Sequence, residues 1–188
     1  MTLMSPYERD LADTHEDPDS PLSGEPSDAP EPQLAVGGAV GASAGAAAAK
    51  ASEIAALAAF VGTWRLDAAQ CVYQDGEPPR SSTQRIDVRD GRVIFHVESV
   101  LADGWDVSYV LSRIPDGVER RHADPDVADT LRTRLEGRTL ETISRRGSLI
   151  TRHTIRMLSE DGVTLTVVQL GFTRFGNPFR NRSIYRRA

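Results

Sequence analysis

The chain has a single cysteine, Cys71, and a single lysine, Lys50, among its 188 residues. One thiol cannot close an internal disulfide, so packing and hydrogen bonding must hold the fold, and the chain suits a reducing compartment. No stretch approaches about 18 apolar residues without a charge, which excludes a membrane-spanning helix. The opening Met1-Thr2-Leu3-Met4-Ser5-Pro6 lacks a basic segment followed by an apolar run. It does not read as a secretory signal, and a cytoplasmic location is expected. Metal-ligand spacing is missing too. His122-Ala123-Asp124-Pro125-Asp126 offers too few ligands, and Cys71 has no cysteine partner. There is no Gly-x-Ser-x-Gly, no phosphate loop and no dinucleotide fingerprint, so neither metal nor cofactor is expected.

What the chain does have is unevenly placed. Residues 1–34 hold nine Asp/Glu and one Arg, a net of −8, together with Pro6, Pro18, Pro21, Pro26, Pro30 and Pro32. Such a segment buries too little apolar surface to offset its ordering entropy, so it reads as a tail. Residues 35–49 are rich in glycine and alanine and read as a linker. From Ala46 to Ala59 the glycines stop, and Ile54, Leu57 and Phe60 fall at helical spacing. The division is a tail and linker over 1–45, a short helix over 46–59 and a folded unit over 60–188.

The folded unit is punctuated by turn chemistry. Asp90-Gly91, Asp103-Gly104, Asp116-Gly117, Arg146-Gly147, Asp161-Gly162 and Gly176-Asn177-Pro178 separate β-branched and aromatic runs. The pattern predicts strands near 62–67, 83–89, 92–100, 105–113, 117–121, 129–135, 138–145, 148–158, 163–172 and 179–187. Connections this short give an antiparallel up-and-down meander. The expected class is therefore all-β, a barrel of eight to ten strands closed to remove its edges.

Four segments carry a family resemblance. They are Val61-Gly62-Thr63-Trp64-Arg65-Leu66-Asp67, Gly76-Glu77-Pro78-Pro79, Ser159-Glu160-Asp161-Gly162-Val163-Thr164-Leu165-Thr166 and Gly176-Asn177-Pro178-Phe179. Over 60–188 the chain resembles the bacterial lipocalin-like proteins, a group similar in architecture to lipocalins and fatty-acid-binding proteins. The resemblance implies an Arg from the last strand, Arg180 or Arg182, packed over Trp64 at the barrel floor. It also marks departures. Residues 68–82, with Pro78 and Pro79, are too short for the paired helices that fatty-acid-binding proteins insert there. Their Arg-x-Tyr on the last strand reads Ser183-Ile184-Tyr185 here.

Alternation along strands splits each into two faces. With the arginines of each strand taken as outward, the interior collects Trp64, Gln84, Phe95, Trp105, Tyr109, Leu131, Thr133, Thr151, His153, Asn181 and Tyr185. Gln169 lies on a strand whose register stays open. This interior is apolar and aromatic and contains no charged residue, which favours a mostly apolar, uncharged small molecule. His153, Tyr109 and Tyr185 are the candidates for acid–base chemistry.

Three functions stay open on this reading. The first is a carrier of a hydrophobic small molecule. The second is a cofactor-free cyclase of a natural-product pathway. The chain is similar in architecture, though not in motif, to the small β-barrel [4+2] cyclases of spirotetronate and spirotetramate pathways, whose catalysis is largely substrate folding. The third is an interaction protein with a filled barrel, for which a second copy of the chain is a candidate partner. In the first two the tail is a candidate lid, with Asp10, Asp13, Glu16, Asp17 and Asp19 docking on Arg180, Arg182, Arg186 and Arg187. A net acidic chain with few aromatics among those arginines argues against a nucleic-acid partner.

Overall fold

A computed structural model describes residues 52–122 and 124–188. After a helix over 52–58 come ten strands: β1 (Gly62–Leu66), β2 (Ser81–Arg89), β3 (Arg92–Val100), β4 (Asp106–Arg113), β5 (Asp116–Arg121), β6 (Thr130–Glu136), β7 (Thr139–Arg146), β8 (Leu149–Leu158), β9 (Thr164–Phe172) and β10 (Pro178–Arg187). All ten predicted strands are present. The link from β1 to β2 is one turn of 3-10 helix, Ala68–Gln70, followed by extended chain, so that link holds no helical pair.

The turns explain the meander. At the β2–β3 hairpin both Asp90 (φ 51°) and Gly91 (φ 73°) are left-handed, the geometry of the tightest antiparallel turn. Every strand pair is antiparallel, in the order β4-β3-β2-β1-β10-β9-β8-β7-β6-β5. The sheet curls but its two ends do not pair, so a seam separates β4 from β5 where backbone closure was expected. Only Ile114 and Pro115 connect the two strands. Pro115 brings no N–H to a ladder, and its carbonyl accepts from Leu135 N at 3.3 Å, which draws β5 toward β6.

The up-and-down order puts the β1–β2, β3–β4, β5–β6, β7–β8 and β9–β10 connections at one end, the mouth. The opposite end is a packed floor. Here Trp64 and Phe60 are fully buried with Leu57, Val93, Leu140, Leu158 and Leu165. Burial of each such side chain contributes about 1.5–3 kcal/mol. Trp64 Nε1 donates to Phe60 O at 2.9 Å, which ties helix to barrel. Leu57 and Phe60 pack as their helical spacing implies, whereas Ile54 is exposed.

The cation over Trp64 is Arg187, not Arg180 or Arg182, at 4.2 Å from the ring centroid. Its guanidinium also donates to Ala59 O and Val61 O at 2.7 Å and to Gly162 O at 2.8 Å. Gly62 (φ 142°) makes room for it, because a Cβ there would lie 2.6 Å from Arg187 Nη1. That is the physical content of the Gly-x-Trp motif in this chain.

Candidate functional site

Above the floor lies a cavity of about 150 Å³, open at the mouth. That volume holds on the order of ten waters. One wall is β2, β3 and β4, with Gln84, Phe95, Val97, Tyr109 and Leu111. The facing wall is β7, β8, β9 and β10, with Thr142, Thr154, Arg156, Val167, Gln169, Ser183 and Tyr185. Tyr73, Leu101, His122, Ser144 and Arg152 also line it, from mouth-end loops and strand ends.

This lining overturns the expectation of an uncharged interior. Arg113, Arg152 and Arg156 all line the cavity, and the described lining contains no carboxylate. The difference arises on β8. That strand presents Arg152, Thr154, Arg156 and Leu158 inward, the opposite face from the one expected. Leu158 settles the register: it packs in the floor cluster and pairs with Leu165 across to β9. With alternation fixed from that end, Arg156 and Arg152 must follow it inside.

His153 and Thr151 therefore lie on the outer face. His153 Nε2 sits 2.8 Å from Glu141 Oε1, with Arg134 on the far side of that carboxylate. Thr151 Oγ1 donates to Ser144 O at 3.3 Å. Trp105 precedes β4, is 70% exposed and does not line the cavity. Leu131 does not line it either, and Thr133 is buried behind it against Thr142, with 3.1 Å between the hydroxyls. Asn181 is buried and has a structural task. Its Oδ1 accepts from Gln74 N at 2.9 Å and Asp75 N at 3.1 Å, and its Nδ2 donates to Asp75 O at 2.9 Å, pinning the β1–β2 connection at the mouth. Gln84, Phe95, Tyr109, Gln169 and Tyr185 do converge on the cavity, over a floor set by Trp64. Tyr109 and Tyr185 thus share one chamber without His153.

Arg156 is the centre of the site. It is 9% exposed, its guanidinium lies 4.3 Å over the Phe95 ring, and its Nε reaches no hydrogen-bond partner. No carboxylate of the described residues lies within ion-pair distance of it. Burial pushes its pKa down to about 10. Tyr109 and Tyr185 oppose that shift, and Arg113 adds to it. The group is still a cation at neutral pH. Burial raises the Tyr185 phenol, which donates to Ser82 Oγ at 3.4 Å. Among the described residues β10 brings no arginine into the lumen, and β8 brings Arg152 and Arg156. A lone arginine in a strand carries no sequence mark of this; the inward Leu158 two residues later is the signal.

The proposed lid arginines do not gather at the mouth. Arg180 is near it, but Arg186 and Arg187 lie six and seven residues on, roughly 20 Å along the strand, at the floor. Arg186 is held by Thr164 Oγ1 at 2.6 Å and Asp67 Oδ2 at 3.5 Å. Their acidic counterparts, Asp10, Asp13, Glu16, Asp17 and Asp19, lie outside the described residues. Among those residues no group of His, Cys, Asp and Glu could hold a metal, and no helix is long and apolar enough to cross a membrane.

No protein-family model matches the chain, and no curated protein matches it significantly. Solved structures do. A zebrafish ileal bile acid-binding protein complexed with cholic acid is 14% identical, with 69% of this chain and 99% of that one covered at a TM-score of 0.44. Caenorhabditis elegans lipid binding protein 8 is 11% identical, covering 69% and 96%, at 0.46. The siderocalin Ex-FABP is 9% identical, covering 69% and 74%, at 0.36. At these identities and scores the likeness is one of curled antiparallel barrel architecture.

Proposed function

We propose that the lumen binds a mostly apolar small molecule carrying one acidic group, with the acid held at Arg156 and the chain along Phe95, Val97, Leu111 and Val167. Arg156 carries this reading: it is a desolvated cation with an unpartnered Nε, in a cavity lined by apolar and polar side chains but no carboxylate. A buried charge is costly unless paired, and an anion entering from water pays its own desolvation. Folding has already stripped water from Arg156, so an incoming carboxylate meets a preorganised partner. Charge-assisted bonds in such a site are the strong ones. The small cavity suits a medium-length chain.

Isothermal calorimetry with decanoate and its methyl ester tests this. Decanoate is expected to bind about tenfold or more tightly than the ester, the worth of a charge-assisted bond. Equal binding, or binding of the ester alone, would refute the assignment of the acid to Arg156. The cyclase reading rested on an interior without charges, and the three lumen arginines remove that support. The lid idea, made on Arg180, Arg182, Arg186 and Arg187, stands on charge alone, and of these Arg186 and Arg187 lie at the floor. A decanoate affinity that is the same with and without residues 1–34, at low and at high salt, would sink it.

A further inference from the structure

The cavity that Arg156 lines holds a second buried polar atom without a partner, and it has the opposite sign of need. Gln84 is 6% exposed and lines the same cavity, and its Oε1 accepts no hydrogen bond. Gln84, Arg156 and Tyr185 all line that cavity. Across the β2–β3 pair, Gln84 opposes Val97 while Ile86 opposes Phe95, so Gln84 is diagonal to the ring that Arg156 covers.

An orphaned donor and an orphaned acceptor lining one cavity, and not bonded to each other, describe a ligand head group. Arg156 Nε asks for an anionic acceptor, and Gln84 Oε1 asks for a donor. We infer that the ligand's acid carries a hydrogen-bond donor on its neighbouring carbon, as in a 2-hydroxy acid or an N-acyl amino acid. This deepens the proposed function and rests on it. In the empty lumen Gln84 Oε1 is closed to solvent and unbonded. A plain fatty acid leaves that carbonyl unpaired, whereas a hydroxyl or amide N–H supplies the missing bond. Sites built to bond a ligand OH or NH discriminate strongly against analogues that lack it.

The test is calorimetry of the full chain with decanoate, 2-hydroxydecanoate and N-octanoylglycine, repeated with Gln84→Leu. In the unaltered protein at least one of the two donor-bearing acids is expected to bind about tenfold more tightly than decanoate, the upper end of one neutral hydrogen bond. Which of the two wins distinguishes a hydroxy acid from an acylated amino acid. In Gln84→Leu that preference should collapse to about one. Equal binding of all three acids by the unaltered protein overturns the inference and leaves the acid site at Arg156 standing. A preference that survives Gln84→Leu overturns it as well, since the donor would then be met elsewhere. Failure of all three acids to bind overturns both this inference and the proposed function. Should Gln84→Leu not fold, the ligand series on the unaltered chain remains decisive.

Discussion

Arg156→Met takes a cation out of the lumen and leaves a side chain of similar reach that needs no partner. The guanidinium is pushed from the ordinary arginine range down to about 10, chiefly by burial, which amounts to roughly 3 kcal/mol of cost to the folded state. The sign follows from linkage. Below about pH 10 the group is protonated in both folded and unfolded chains, so the full cost is present at neutral pH. It is relieved only as pH climbs from about 10 toward the unfolded value. Against the gain stands the lost stacking on Phe95, about 1–2 kcal/mol for a desolvated pair. The free variant should therefore be more stable by about 1–2 kcal/mol, or on the order of 5 °C in Tm. Urea denaturation of the empty protein measures this. Decanoate affinity should fall at least about tenfold in the same variant, with loss of the charge-assisted bonds. Stability gained while binding is lost is the signature of a residue retained for a ligand. If Arg156→Met is less stable by 1 kcal/mol or more, the arginine is a structural strut. If it binds decanoate as before, the acid sits elsewhere.

Arg187→Ala removes three carbonyl contacts and the cation over Trp64, and should cost about 2–4 kcal/mol in urea denaturation. A loss under 0.5 kcal/mol would remove Arg187 from the account of the floor. Asn181→Ala should destabilise by about 2–3 kcal/mol, and the amide hydrogens of Gln74 and Asp75 should exchange roughly tenfold faster. Unchanged exchange would mean the β1–β2 connection is held by other contacts. His153 lies on the outer face beside Glu141, about a quarter exposed to solvent, and His153→Ala removes that pair. It should cost under about 1 kcal/mol and leave decanoate affinity within about twofold. A large affinity loss would contradict the β8 register.

The fold was legible because its turns are written in dipeptides. Asp90-Gly91 is left-handed at both residues, and every named glycine turn closes a hairpin except Asp116-Gly117, which falls inside β5 at the seam where β4 and β5 do not pair. Trp64 as floor was legible too, although its cation came from Arg187 rather than Arg180 or Arg182. The lumen was legible on β2 and β3, where apolar and polar residues alternate cleanly, and so Gln84 and Phe95 fell into place. It was misread on β8, where Leu149, Ile155 and Met157 compete with Ile150 and Leu158 for the inside. Charge broke that tie in the wrong direction. The rule that arginine faces water assumes a purely apolar interior, whereas this lumen sets the Arg156 guanidinium on the Phe95 ring and among the Tyr109 and Tyr185 phenols. Long-range pairing of Leu158 with Leu165 decides the register, and a single strand does not display it.

The most direct test of the acid site is a crystal structure of the full chain grown with decanoate. The account predicts the carboxylate within about 3 Å of the Arg156 guanidinium, the alkyl chain running toward the mouth. A carboxylate at the mouth with the chain tail at Arg156, or decanoate bound only on the outer face, would contradict it.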